Sequence, residues 1–220
     1  MRRTVDILVA VVAGLALLPL FFVLALTILI VMGNPVLFRQ ARPGLHNVPF
    51  VILKFSTMRA PRYVGEPDHE RTTRLGAVLR ATSLDELPQL WNILRGHMSL
   101  IGPRPLPIRP KESYTSAERA RLVIRPGLTG WAQVNGRNAL LPQERTELDI
   151  WYICNRSLSL DLKILFLTVV RGLSAQGVRG PLEPHKTGTA SHVPGDTAIA
   201  GVAERSDGAA GSRRLERGQA

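Results

Sequence analysis

Residues 7–38, ILVAVVAGLALLPLFFVLALTILIVMGNPVLF, are 32 consecutive positions without a charged side chain, bounded by Asp6 and Arg39. About 20 apolar residues suffice for a helix to cross a bilayer, so the run reads as a membrane segment. A cleaved secretory leader fits poorly despite the basic start MRR. Its apolar core would span only about 7 to 15 residues and end at a small-residue cleavage site, for which there is no clear match. Arg2 and Arg3 precede the run, and Arg39, Arg42, Lys54, Arg59 and Arg62 follow it. The positive-inside tendency therefore draws both ends to the cytoplasm. Pro19, near the middle, removes a helical hydrogen bond and favours a kink. Two topologies follow: a re-entrant helix that dips into one leaflet and returns, or a spanning helix with a tolerated proline.

The rest of the chain is organised around short elements. VLFRQ (36–40) and PFVILKF (49–55) flank a Pro43-Gly44 and His46-Asn47 turn region and predict a short β-hairpin. Helices are predicted over 69–80, 84–95 and 115–123. The segment 160–177, LDLKILFLTVVRGLSAQG, predicts an amphipathic helix that lies either at a membrane surface or in the core. From about Arg179 the composition turns to Gly, Ala, Ser, Pro and Arg, too poor in large apolar residues to pack, which predicts a disordered tail over 179–220. The fold class expected is α+β and helix-dominated.

Across 220 residues the formal net charge is +11, so the partners are anions: nucleic acid, phosphorylated ligands or acidic headgroups. Cys154 is the only cysteine and the five histidines lack metal-ligand spacing, which excludes an intramolecular disulfide and a structural zinc site.

Within TSLDELPQLWNIL (82–94), Asp85 and Glu86 are adjacent carboxylates. Ser83 with Glu86 fits a capping box, and Pro88 fits the first position of a helix starting slightly later; both place the pair at a helix N-terminus, where carboxylates also serve as dipole partners. Adjacent helical residues point about 100° apart, so the two cannot flank one bond as a glycosidase pair does. A carboxylate nucleophile beside a carboxylate metal ligand divides the work instead, and both parts suit attack on a phosphoryl centre. Such attack needs cations. Arg80 precedes the pair, and Arg104 follows in MSLIGPRPLPIRP, a proline-fixed loop fit for bidentate phosphate contact. A third stretch, IRPGLTGWAQVNGR (124–137), interleaves Gly127, Gly130 and Gly136 with Arg125 and Arg137, and offers backbone N–H groups to phosphates and Trp131 for stacking. It is not a P-loop, because no Gly-Lys-Ser/Thr follows.

In order, LFRQARPG, KFSTMR, RATSLDELPQLWNILRGHMSLIGPRP, RPGLTGWAQVNGRN and LDIWYICNRSLSLDLKIL resemble the bacterial sugar transferases, the monotopic polyprenyl-phosphate phosphoglycosyl transferases, in their small minimal form. The resemblance covers residues 4 to about 176. It implies a re-entrant membrane helix over 1–36, a cytoplasm-facing catalytic domain over 37–178 on the bacterial inner membrane, and interfacial amphipathic helices. It also implies that a UDP-sugar gives its sugar 1-phosphate to polyprenyl phosphate through an aspartyl intermediate, with Mg2+ as cofactor. By position Asp85 matches the nucleophile, Glu86 the metal ligand and Arg104 a phosphate-binding Arg, while Lys54, Arg80 and Asp161 match further polar site positions. The chain departs from the family pattern at Ser56, where Arg is usual, and at His97, where an acidic residue is usual. A homodimer is left open.

The competing class is a membrane-tethered basic protein that binds nucleic acid or acidic lipid without catalysis. It accounts for the charge and the anchor but not for the Asp85–Glu86 pair, and the Lys and Arg residues form no stripe interleaved with aromatics. Nucleic acid is therefore not an expected partner.

Overall fold

The computed structural model describes residues 2–136 and 139–173; Arg137 and the predicted tail lie outside them. The charge-free run forms two helices, α1 (Arg2–Ala16) and α2 (Leu18–Met32), bent by 63° at a break at Leu17. Pro19 sits in the first turn of α2, where its missing N–H costs nothing because first-turn amides have no intrahelical acceptor. Among the described residues no single helix is long and apolar enough to cross a membrane, whereas the bent pair taken together meets the requirement by length and composition alone.

Both arms of the bend are fastened to the same body. The Arg3 guanidinium donates to the carbonyls of Ile93 (2.6 Å) and Leu94 (2.9 Å), at the end of α5 (Gln89–Leu94). The buried Asp6 carboxylate accepts from Ser99 Oγ (2.8 Å) and Leu100 N–H (3.0 Å) in β3 (Ser99–Ile101). On the other arm, Leu24 and Ile28 of α2 pack with Phe55 and Leu79. Elsewhere the pair is apolar and open, with Phe22 70% and Ile30 75% exposed.

The predicted hairpin is present as antiparallel β1 (Leu37–Pro43) and β2 (Pro49–Phe55), with Phe38 opposite Lys54. His46 and Asn47 take positive φ in the connection. The helix predicted over 69–80 is divided into α3 (Asp68–Arg71) and α4 (Arg74–Thr82). Thr72 bridges to Met58, and Thr73 caps α4 by accepting from the Gly76 N–H, so pairing and capping override continuous helix there. The third predicted helix is α6 (Ser116–Ala120) continued by a 3-10 turn to Val123. The pattern did not predict β3 or its parallel partner β4 (Gly127–Thr129), followed by α7 (Trp131–Val134) and α8 (Pro142–Cys154).

The last described helix, α9 (Leu158–Leu173), places Ile164 in the main core with Ile52, Ile93, Met98 and Tyr152. Its other side exposes Leu158, Leu162, Phe166 and Val169, so the amphipathic reading holds for the helix while one apolar stripe remains uncovered. Asp6→Ala leaves the Leu100 N–H buried without an acceptor. It is expected to cost about 1–3 kcal/mol, read as a lowered thermal midpoint; an unchanged midpoint would contradict the bolting role.

Candidate active site

The turn that carries the dyad is not the capping box expected from sequence. Ser83 ends α4 in the left-handed conformation (φ 60°) and makes no side-chain cap bond to the following 3-10 turn, Leu84–Glu86; Pro88 is the N-cap of α5, one position before the expected first-turn place. Glu86 turns away from Ser83 because stronger partners are within reach. Its Oε1 accepts from Lys54 Nζ (2.6 Å) and from Arg104 (2.9 Å). Here both donor and acceptor are ionised, whereas the backbone N–H of a capping box would bring no charge of its own.

Three constructions bring those partners together. Phe50, Ile52 and Lys54 share one face of β2, so the face that buries the first two delivers the ammonium beside the dyad turn. Asn92 docks α5 on that strand, accepting from Leu53 N–H (3.1 Å) and donating to the Val51 carbonyl (2.7 Å). Arg104 follows β3 in a loop held from behind, because Arg121 donates to the Arg104 carbonyl (3.0 Å) and itself pairs with Asp149 at 2.7 Å. Both members of that pair are buried, and burial pushes the Asp149 carboxyl up to about 6 against the pull of Arg121.

The glycines of 124–137 close this loop by allowing two backbones to touch. A Cβ on Gly127 would lie 2.1 Å from the Gly102 nitrogen, and one on Gly130 would lie 2.2 Å from the Gly102 oxygen. The Gly127 N–H is spent on the Pro103 carbonyl, so at that position the stretch is packing rather than a phosphate cradle. Trp131 likewise stacks on Trp151 at 5.3 Å, with Lys163 over its ring, instead of offering a free face to a base.

The two carboxyls differ sharply. Asp85 is 7% exposed, pairs among the described residues with Lys54 at 3.8 Å, and is raised above its ordinary value by burial, which outweighs that lysine. Burial works to raise Glu86 too, but the charges and hydrogen bonds of Arg104 and Lys54 prevail and hold it below its ordinary value. Arg42, which the sequence reading did not single out for the site, lines the same cleft with Lys54, Glu86 and Arg104. Burial first, and then the like charge of Arg104, lowers its guanidinium pKa. Cations in that number around one salt-bridged carboxylate leave a site suited to phosphates.

The remaining candidates are placed elsewhere. Arg80 donates to Thr57 Oγ1 (2.9 Å) and reaches Asp85 only through its field. Arg125 donates to the Gly96 carbonyl, and Asp161 accepts from Tyr152 and pairs with Arg2 at 3.2 Å, tying α9 to α1. Ser56 donates to the Pro35 carbonyl and His97 rests 5.7 Å from the Phe50 ring, so both departures are engaged in the fold.

The profile of one family, "Bacterial sugar transferase", matches residues 1–175. The chain belongs to the bacterial sugar transferase family. It is 49% identical over 150 residues to "Uncharacterized sugar transferase EpsL" of Bacillus subtilis (strain 168), covering 67% of this chain and 74% of that one. It is 43% identical over 183 residues to the UDP-glucose:undecaprenyl-phosphate glucose-1-phosphate transferase of Caulobacter vibrioides, covering 76% and 68%. The Escherichia coli (strain K12) protein of the same name is 36% identical over 185 residues, which is 78% of this chain but only 40% of that longer protein.

Lys54 lowers both dyad carboxyls. In Lys54→Met both should therefore titrate at higher pH than in the parent protein, followed by carboxyl-carbon NMR of labelled Asp and Glu. Unmoved titrations would contradict the pairing.

Proposed function

We propose that the chain transfers a sugar 1-phosphate from a UDP-sugar to polyprenyl phosphate at the cytoplasmic face of a bacterial membrane, a first membrane step in assembling a surface or protein-linked glycan. The family and the relatives named for UDP-glucose and undecaprenyl phosphate support the reaction class. The observation that carries the mechanism is the asymmetry of the dyad: a buried, weakly partnered Asp85 beside a Glu86 clamped by two cations.

A desolvated carboxylate is a better nucleophile than a hydrated one, and the cations of the adjoining cleft, Lys54, Arg104 and Arg42, offset the repulsion between it and an anionic diphosphate. An Asp85 oxygen attacks the β-phosphorus, the bond from that phosphorus to the bridging oxygen breaks, and UMP leaves. An oxygen of polyprenyl phosphate then attacks the same phosphorus, breaking the acyl phosphate bond and returning Asp85 as a free carboxylate. The product is polyprenyl diphosphate sugar.

Mg2+ suits the donor set. Both cations take Oε1 of Glu86, and Oε2 accepts no hydrogen bond among the described residues. No group of three or more His, Cys, Asp or Glu that could hold a metal ion occurs among them, so substrate phosphates would have to complete the coordination of an ion that takes one or two carboxylates. Glu86, with Asp85 alongside, would hold it, and when bound it supplies neutralisation of phosphate charge.

The membrane arrangement has its own support. A helix that leaves on the far side of a bilayer cannot return both ends to one body, yet Arg3 and Asp6 on α1 and Ile28 on α2 all seat on the same domain. The exposed stripes of α1, α2 and α9 give that domain an apolar surface for the leaflet. We therefore read 1–36 as re-entrant and 37–178 as the catalytic domain.

The test is UMP release from a panel of UDP-sugars with Mg2+, with and without undecaprenyl phosphate. Sustained release is expected only with the lipid. Asp85→Asn should abolish it, and Glu86→Gln should slow it and weaken its magnesium dependence; parent-like turnover by Asp85→Asn would overturn the proposal.

A further inference from the structure

The end of α5 gathers three arginines from separate parts of the chain. Arg3 of α1 donates to the Ile93 and Leu94 carbonyls, and Arg125 donates through Nε to the Gly96 carbonyl (2.8 Å). The Arg95 guanidinium lies over the Trp91 ring, 5.1 Å from its centroid. Carbonyls at a helix end orient guanidiniums but carry at most about half an elementary charge, so most of the three positive charges is left unneutralised. Among the described residues no carboxylate pairs with any of the three. Asp6, one turn after Arg3, is buried with both oxygens committed to β3, and Asp161 is paired with Arg2. Next in the chain after Gly96 stands an exposed histidine, His97, one of the two departures from the family pattern, at a position where an acidic residue is usual.

We infer that this cluster binds the headgroup phosphate of one acidic phospholipid of the bilayer. The apolar surface that such a lipid needs adjoins it. Trp91 is 50% exposed, and α1 presents an open stripe of Val5, Leu8, Val12 and Leu15 that begins within one turn of Arg3. From Arg3 to Leu15 the helix rises about 18 Å at about 1.5 Å per residue, close to the roughly 15 Å of hydrocarbon in a single leaflet. An acyl chain therefore meets an apolar wall of its own length beneath a cationic head. Tryptophan and arginine suit that boundary, the ring at headgroup level and the guanidinium toward phosphate. A soluble anion would leave both the stripe and Trp91 uncovered. The site is separate from the cleft lined by Lys54, Glu86, Arg104 and Arg42. The inference rests on the proposed seating of α1 in one leaflet and not on the transfer reaction.

The test follows lipid binding to the delipidated full chain in a neutral detergent by native mass spectrometry. The probes are phosphatidylglycerol, phosphatidylcholine with the same acyl chains, and glycerol phosphate, which has the headgroup charge without the chains. One phosphatidylglycerol is expected to bind about tenfold or more tighter than either of the others. Arg95→Gln with Arg125→Gln should remove that preference, and His97→Asp, which restores a negative charge beside Gly96, should weaken it without touching an arginine. Arg62→Gln with Arg74→Gln, an equal loss of charge elsewhere on the surface, should keep it, as should Lys54→Met in the catalytic cleft. No preference in the parent protein, or an equal loss in the Arg62 and Arg74 variant, would overturn the site. So would an equal loss in Lys54→Met, which would put the lipid in the catalytic cleft, or glycerol phosphate binding as tightly as the lipid, which would make it a site for free phosphate. UMP release by the same preparations reports on the reaction independently: release without the lipid preference overturns the site alone, and the preference without release overturns the reaction alone.

Discussion

A buried carboxylate on the membrane-type helix holds the site together. Asp6 accepts two hydrogen bonds from β3, and Arg3, one turn earlier, donates to the last carbonyls of α5. Helix α5 follows the Asp85–Glu86 turn, and β3 leads into the Arg104 loop. The same short piece of α1 therefore fixes both segments whose meeting makes the Glu86–Arg104 pair. Bonds to a charged group contribute about 1.5–3 kcal/mol each, enough to make the helix pair a part of the catalytic body rather than a tether. Arg2 extends the tie to Asp161 on α9.

On that frame, electrostatics separates two chemically similar side chains. Glu86 lies where Lys54 and Arg104 converge and is held ionised, while Asp85 is buried with less compensation and is raised. The support extends outward, since Asp149 holds Arg121 and Arg121 holds the backbone of Arg104. Such a shell limits the freedom of the guanidinium, and preorganised charge is what stabilises a phosphoryl transition state.

How much of this was legible in sequence follows from the range of the forces involved. The hairpin, the break near Pro19 and the amphipathic α9 are local patterns, and they were readable. Strands β3 and β4 are three residues each and pair across a long separation, so no local period announces them. The same long range explains the misread capping box, because Glu86 answers to Lys54, 32 residues away in sequence. Gly127 and Gly130 carried a composition signal for a phosphate loop, yet the constraint on them is backbone contact with Gly102. Lys54 and Arg104, singled out by motif, both lie against Glu86 in the structure. Arg42 went unread because a lone arginine has no signature until a cleft surrounds it.

The central claim is that Asp85, rather than the lipid phosphate, first attacks the nucleotide sugar. Intact and peptide mass spectrometry of the protein incubated with a UDP-sugar, Mg2+ and no lipid tests it most directly. The account predicts the mass of one sugar phosphate on the peptide containing Asp85, discharged when polyprenyl phosphate is added. Full turnover with lipid but no adduct in its absence, or an adduct on another residue, would contradict it.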